Sequence, residues 1–283
     1  MIISSEHGRS LFSYMHPVRF VASLWRCREL LIQFSKREIS SRYKGSVLGI
    51  FWAFAQPIMM LAIYTFVFGV IFRSRWPRSG GDGGIMSYAL VIFCGIACFN
   101  LINECVGRAP SLIKDNINLV KKVIFPLETL PLSVLGASLY HGAIIFLILA
   151  AANAVVNFSF HYTIIALPLI LLPMVFMIMG LSWLVAGLGV VMTDMQPMIT
   201  LFNTVWFFLT PVFYSIDSIP AAIKPFMMLN PMAFIVDSVR RVILWGEWPQ
   251  WHLLGIWLLV SFFMMLAGYA LFMWGKENFA DLV

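Results

Sequence analysis

Five basic residues near the start of the chain, Arg26, Arg28, Arg37, Arg42 and Lys44, could do chemistry together. Guanidinium groups fork onto the oxygens of an anionic phosphate, and an ammonium adds a point charge. Contact with anionic lipid headgroups would explain the same cluster. Elsewhere the reactive residue types do not assemble. No G-x-x-x-x-G-K-[ST] loop occurs, and the glycine-rich run at residues 80–84 lacks the lysine. There is no nucleophile elbow and no paired-histidine motif. His141 and His161 are isolated, and His161 is placed to cap a turn. Cys27, Cys94, Cys98 and Cys105 show no metal-ligand spacing. Three of them fall in or beside one apolar segment, where thiols act as small packing groups. We therefore expect no catalytic, cofactor-binding or metal site in this chain. If it uses ATP, another chain must bind the nucleotide.

The elements that position these residues follow from composition. Of 283 residues, 61% are hydrophobic and 11% are charged, whereas a soluble domain carries about 25% charged residues. Such a chain cannot clothe itself in a solvated surface and must face lipid. The net charge is +6, with eight of the 19 Lys and Arg before residue 45. A nucleic-acid binder would show its basic face on a soluble fold, so this asymmetry reads as an electrostatic address.

A charge at mid-membrane costs about 2.5–3.5 kcal/mol on insertion scales, so long uncharged stretches mark the spans. They lie at residues 47–72, 85–103, 195–213 and 252–275, and residues 129–193 are long enough for two spans with a turn at 157–162. Each approaches the ~20 residues that cross the hydrocarbon core. The expected fold is an all-α membrane protein with six transmembrane helices. Residues 1–46 form an N-terminal region, 47–275 the transmembrane domain and 276–283 a tail. With the N-terminus inside, the inner pieces carry thirteen basic residues and the outer pieces six. Both termini are thereby expected in the cytoplasm. The first 45 residues lack the continuous apolar core of a cleavable signal.

Two segments are neither spans nor simple loops. Phe20, Leu24, Cys27, Leu31 and Phe34 fall on one helical stripe, with Arg19, Arg26, Arg28, Lys36 and Arg37 off it. The pattern suits an amphipathic helix in the membrane interface; packing on another protein segment is the alternative. Residues 215–250 are broken by Pro220, Pro225, Pro231 and Pro249, yet are too apolar for a free loop. Short outer re-entrant helices between spans five and six are expected, the second capped by Asn230 with Pro231 in its first turn. Asp237 precedes Arg240 and Arg241 at spacings of three and four, which suits ion pairs.

The spans lack the midplane ionisable residues of ion-coupled carriers, since Glu104, Glu128 and Asp194 fall at span ends. A cytoplasmic partner is the expected energy source. Three blocks then carry a resemblance. They are Lys36-Arg37-Glu38-Ile39 through Arg42-Tyr43-Lys44-Gly45-Ser46-Val47-Leu48-Gly49 to Gln56-Pro57; Leu119-Val120-Lys121-Lys122 through Phe125-Pro126-Leu127-Glu128 to Leu132; and Leu209-Thr210-Pro211-Val212-Phe213-Tyr214 through Pro220 and Asn230-Pro231 to Arg240. Together they resemble type-2 ABC permeases of polysaccharide export, in the family's order and over about residues 30–245.

The resemblance implies a homodimer with two ATP-binding cassette subunits that bind ATP and Mg. It implies export of lipid-linked glycans such as O-antigen, capsule or teichoic acid precursors across the bacterial inner membrane. Residues 107–128 become the candidate for ATPase coupling, through Lys114, Asp115, Asn116, Lys121 and Lys122. The basic cluster becomes a candidate for lipid-diphosphate contact. Aromatic faces stack on sugar C–H faces, so Trp52, Gln56 and Met59, with Asn203, Phe207, Thr210 and Tyr214, become candidate channel-lining residues. Helix packing and interfacial belts would explain the same stripes. A drug or lipid permease and a non-transport scaffold are the rival readings.

Overall fold

The structure, a computed structural model, describes residues 25–72, 76, 85–121, 125–158, 160–276 and 279. Among these it is all helical. Helix α1 is Arg28–Tyr43. The chain then turns through Gly45 and Gly49, both at positive φ, where a Cβ would strain the backbone. Helix α2 follows at Trp52–Tyr64, kinked by Pro57, and runs on as a π-helix over Thr65–Ile71. Helix α3 is Ile85–Leu112, α4 is Ile117–Val120, α5 is Thr129–Asn157 and α6 is Leu167–Val191. Helix α7 is Met195–Leu209, α8 is Lys224–Met228, α9 is Pro231–Arg240 and α10 is Trp251–Gly275.

Among the described residues, five helical stretches are long and apolar enough to cross a membrane: Gly49–Ile71, Ser87–Leu112, Thr129–Asn157, Tyr162–Val191 and Trp251–Gly275. The turn within residues 129–193 falls where charge-free length placed it, with Phe158 left-handed at φ 48°. The expected fifth span, residues 195–213, is helical only to Leu209, for 15 residues. At 1.5 Å per residue that is about 22 Å, short of the ~30 Å hydrocarbon core. The reason is local: Thr210 precedes Pro211, which disfavours the helical region, and Thr210 is extended at ψ 134°.

The second span departs the other way. Helix α3 continues past residue 103 to Leu112, so Glu104 lies two turns inside it rather than at its end. Its charge is met from another helix, by an ion pair with Arg42. Arg108, one turn on, bonds Glu38 of α1 at 3.0 Å. Helix α1 thus lies against this chain's own α3 and α5. Phe34 meets Phe125 at 5.3 Å between ring centroids, and a Cβ on Gly136 of α5 would sit 2.4 Å from Ser35 Oγ. Cys27, Leu31 and Phe34 are half-buried on that side, so the part of the stripe within the described residues makes protein contacts. Phe20, Leu24 and Arg19 lie outside them.

The centre of the bundle is held by close backbone approaches. A Cβ on Gly268 of α10 would fall 2.1 Å from Gly180 O of α6, which is the small-residue contact that membrane helices use to pack. One turn on, Trp183 and Tyr269 meet edge to face at 5.1 Å, and Trp183 Nε1 donates to Glu128 O. Lys276 closes this end on Glu128 at 2.6 Å.

The opposite end is built by residues 215–250. Asn230 Oδ1 accepts from Met232 N, with Pro231 at the first helical position of α9, as the sequence predicts. Asn230 also receives Trp206 Nε1 and donates to Leu209 O, so one side chain caps the start of α9 and the end of α7. Arg241 lies 4.0 Å from Asp237. The π-helical turn Arg241–Trp245 leaves carbonyls free at Val242 and Ile243, and Thr163 and Asn153 supply the donors. His161 stands at the start of the 3-10 turn Tyr162–Ala166, where its carbonyl accepts from Ile164 N.

Candidate functional site

A cavity of about 730 Å³ opens between the first span and the α3–α5 layer. Along α3 it runs from Glu104 to Phe93, about 16 Å at helical rise. At its α1 end Arg42 Nη1 lies 2.8 Å from His141 Nδ1, and Tyr43 Oη lies 2.5 Å from His141 Nε2. A guanidinium can only donate, so Nδ1 must accept; the imidazole is then neutral, with Nε2–H donating to the phenol oxygen. Arg42 also pairs with Glu104. These bonds use only part of the guanidinium's fork of N–H donors. Burial first, and then neighbouring Arg108, hold Arg42 below its usual pKa.

Further in, the walls carry Trp52, Gln56 and Tyr64 on one side and Asn100 and Asn103 on the other. Amides and phenols exchange hydrogen bonds with hydroxyls, rings offer flat apolar faces, and Arg42 supplies charge at one end. The cavity can therefore hold a polar, ring-containing group with an anion at its α1 end.

Of the residues expected to contact a diphosphate, this cavity takes Arg42 alone. Arg28 sits over the Trp25 ring at 5.2 Å and Arg37 over Phe34 at 5.6 Å, while Arg26 and Lys44 are exposed. Trp52 and Gln56 line the cavity, and Met59, which is exposed, does not. Within this chain the α7 stripe makes protein contacts. Asn203 donates to Asn103 at 3.1 Å, Phe207 packs on Phe99 at 4.9 Å, and Thr210 is fully buried with its hydroxyl on Trp206 O. Tyr214 donates to Phe208 O. The open face of α7 carries Leu201, Val205 and Phe208 together with Thr200 and Thr204, whose hydroxyls bond back to Gln196 O and Thr200 O.

In the segment expected to meet an ATPase, Asp115 accepts from Ser111 and Asn116 donates to Leu112 O, so both shape the turn after α3. Lys114 and Lys121 are exposed. Lys122 lies outside the described residues.

Arg240 holds a place that sequence spacing did not reveal. It was expected to pair with Asp237, but it is only 2% exposed and turns inward. It donates to Val91 O at 3.0 Å and to Pro211 O and Val212 O at 2.8 Å, with its guanidinium over Trp76 at 4.8 Å. The break at Thr210-Pro211 leaves carbonyls without helical partners, and one arginine serves two of them. That need for a donor was the available signal.

A family model described as ABC-2 type transporter matches residues 29–244. Among curated relatives, the O-antigen export system permease protein RfbA of Myxococcus xanthus is 26% identical over 94% of this chain and 100% of its own length. A Klebsiella pneumoniae protein of the same name is 24% identical, covering 90% of this chain and 95% of its own. The polysialic acid transport protein KpsM of Escherichia coli is 22% identical over 82% of this chain and 89% of its own.

Proposed function

The chain belongs to the ABC-2 type transporter family, and on that premise we propose that it is the permease subunit of an ATP-driven exporter of lipid-linked polysaccharide. O-antigen is the favoured cargo and capsular polysaccharide the next. The observation that carries this is the near full-length similarity to proteins named for O-antigen export. A separate subunit binds ATP and Mg and hydrolyses the ATP. Two such subunits dock on residues 107–128, where Lys114 and Lys121 are exposed. Both termini are cytoplasmic.

A second copy completes the conduit. Only 6% of the apolar window of the first span is buried within this chain, against 83% for Ser87–Leu112. Helix α7, on the same side of α3, exposes Leu201, Val205 and Phe208. Two such surfaces favour a partner over lipid alone, since the cavity on α2 would otherwise open sideways.

Within that conduit, Arg42 receives the lipid diphosphate while Trp52, Gln56, Asn100 and Asn103 hold the first sugars. Exchange of Arg42 between Glu104 and phosphate keeps the bound state weak enough to release. Removing the protein from cells should abolish surface glycan and accumulate lipid-linked glycan on the cytoplasmic side. Arg42→Gln should lower export at least tenfold with the protein still in the membrane. Undiminished surface glycan in the deletion would defeat the proposal; undiminished export by Arg42→Gln would defeat only the role of Arg42.

A further inference from the structure

A second cavity, of about 290 Å³, lies at the end of the bundle remote from α1, between the α8–α9 hairpin and the start of α10. Helix α5 fixes these positions: Ser35 and Arg42 of α1 meet it at Gly136 and His141, whereas Asn153, near its other end, bonds the turn after α9. The volume is at the lower end of ligand pockets, roughly 300 Å³, which suits one ring and excludes a lipid tail or an oligosaccharide.

Its walls carry three tryptophans, Trp76, Trp245 and Trp257. Trp76 is buried with Arg240 over one face and forms the floor. Trp245 and Trp257 are half-buried and offer rings to a ligand. Two carboxylates, Asp217 and Asp237, and three cations, Lys224, Arg240 and Arg241, complete the lining. Lys224 lies 3.4 Å from Asp217, and Arg241 lies 4.0 Å from Asp237 and 2.9 Å from Glu247. Arg240, beneath, directs its donors to backbone carbonyls. Counting Glu247, which pairs with Arg241 beside the lining, three carboxylates match three cations among the described residues, leaving no net surplus of cation there to hold a phosphate. Gln250, exposed at the rim, adds an amide that both donates and accepts.

Apolar ring faces beside paired donors and acceptors match one ligand chemistry. A pyranose has C–H faces that stack on indole and equatorial hydroxyls that bond carboxylate, ammonium and amide together. We propose that this cavity is a binding subsite for a single neutral sugar residue, at the end of the molecule where a glycan would leave. It rests on the export reading for its biological use, but binding itself can be measured without export.

The test uses the full chain in lipid nanodiscs, free of sugar-based detergent. Methyl glycosides of glucose, galactose, mannose and N-acetylglucosamine are titrated while saturation transfer to the sugar is recorded by NMR. At least one glycoside should bind saturably, and Trp257→Ala should weaken it tenfold or more. Gln250→Ala, on an exposed side chain, should weaken it several-fold without disturbing the fold. Trp274→Ala, an exposed tryptophan of the same helix outside the cavity, should leave it unchanged. Inorganic diphosphate should not compete. No binding by any of the four, binding that survives both cavity variants, or displacement by diphosphate would overturn the subsite. Failure here with export intact would leave the proposed function standing.

Discussion

Replacing Arg240 by methionine should cost upward of ~3 kcal/mol of stability. Methionine fills much of the same volume, but it leaves the carbonyls of Pro211 and Val212 without a donor and removes the second donor from Val91 O, which lies within α3. A buried polar group stripped of its partner costs about 1–3 kcal/mol, two are stripped at once, and the bond lost at Val91 O adds ~1 kcal/mol. By the usual size scaling this corresponds to a fall of roughly 6 °C or more in melting temperature. Arg240→Lys should fall between, because an ammonium cannot span three acceptors held on two segments. Thermal unfolding of purified protein, followed by tryptophan fluorescence, measures both. Equal melting temperatures for wild type and Arg240→Met would show that the arginine does not hold the break after α7.

Gly268→Val should fail more severely, at assembly. The new Cβ would fall 2.1 Å from Gly180 O and 2.7 Å from Gly180 C, both of them backbone atoms. No rotamer change relieves that contact. Helices α6 and α10 must separate, and the Trp183–Tyr269 contact beside them opens. Overpacking ordinarily costs about 1–3 kcal/mol, and a backbone obstacle places this case at or above the upper limit. Gly255→Ala supplies the comparison, since a Cβ there meets nothing within 4 Å on the same helix. It should be neutral or stabilising by up to ~1 kcal/mol. Yield of monodisperse protein on size exclusion is the measurement. Equal yields for the two variants would rule out the close helix contact.

The spans were legible wherever hydrophobicity had only lipid to answer. The turn near Phe158 and the cap at Asn230 followed from charge-free length and turn chemistry. The extension of α3 to Leu112 did not, because Glu104 and Arg108 look like the end of a span until α1 supplies Arg42 and Glu38. The short α7 could have been read from Thr210-Pro211. At the cavity, Arg42, Trp52 and Gln56 were singled out, but as members of separate groups. His141 was dismissed as isolated, since its partners lie 98 and 99 positions away. Asn100, Asn103 and Glu104 had a signal of their own, a polar stripe at spacings of three and four within an apolar helix. In the α7 stripe, Asn203 bonds Asn103 of α3 and Thr210 bonds Asn230 at the start of α9, contacts that helical spacing alone does not distinguish from a lining role.

The central claim is that this chain is the permease of an ATP-driven exporter of lipid-linked glycan. Its most direct test is reconstitution in proteoliposomes with an ATP-binding subunit that co-purifies with it, loaded with lipid-linked polysaccharide. Glycan should become trapped on the side opposite the ATPase only when ATP, Mg and both subunits are present, as read by protection from added glycosidase. Full ATPase turnover with all glycan still on its starting side would contradict the account.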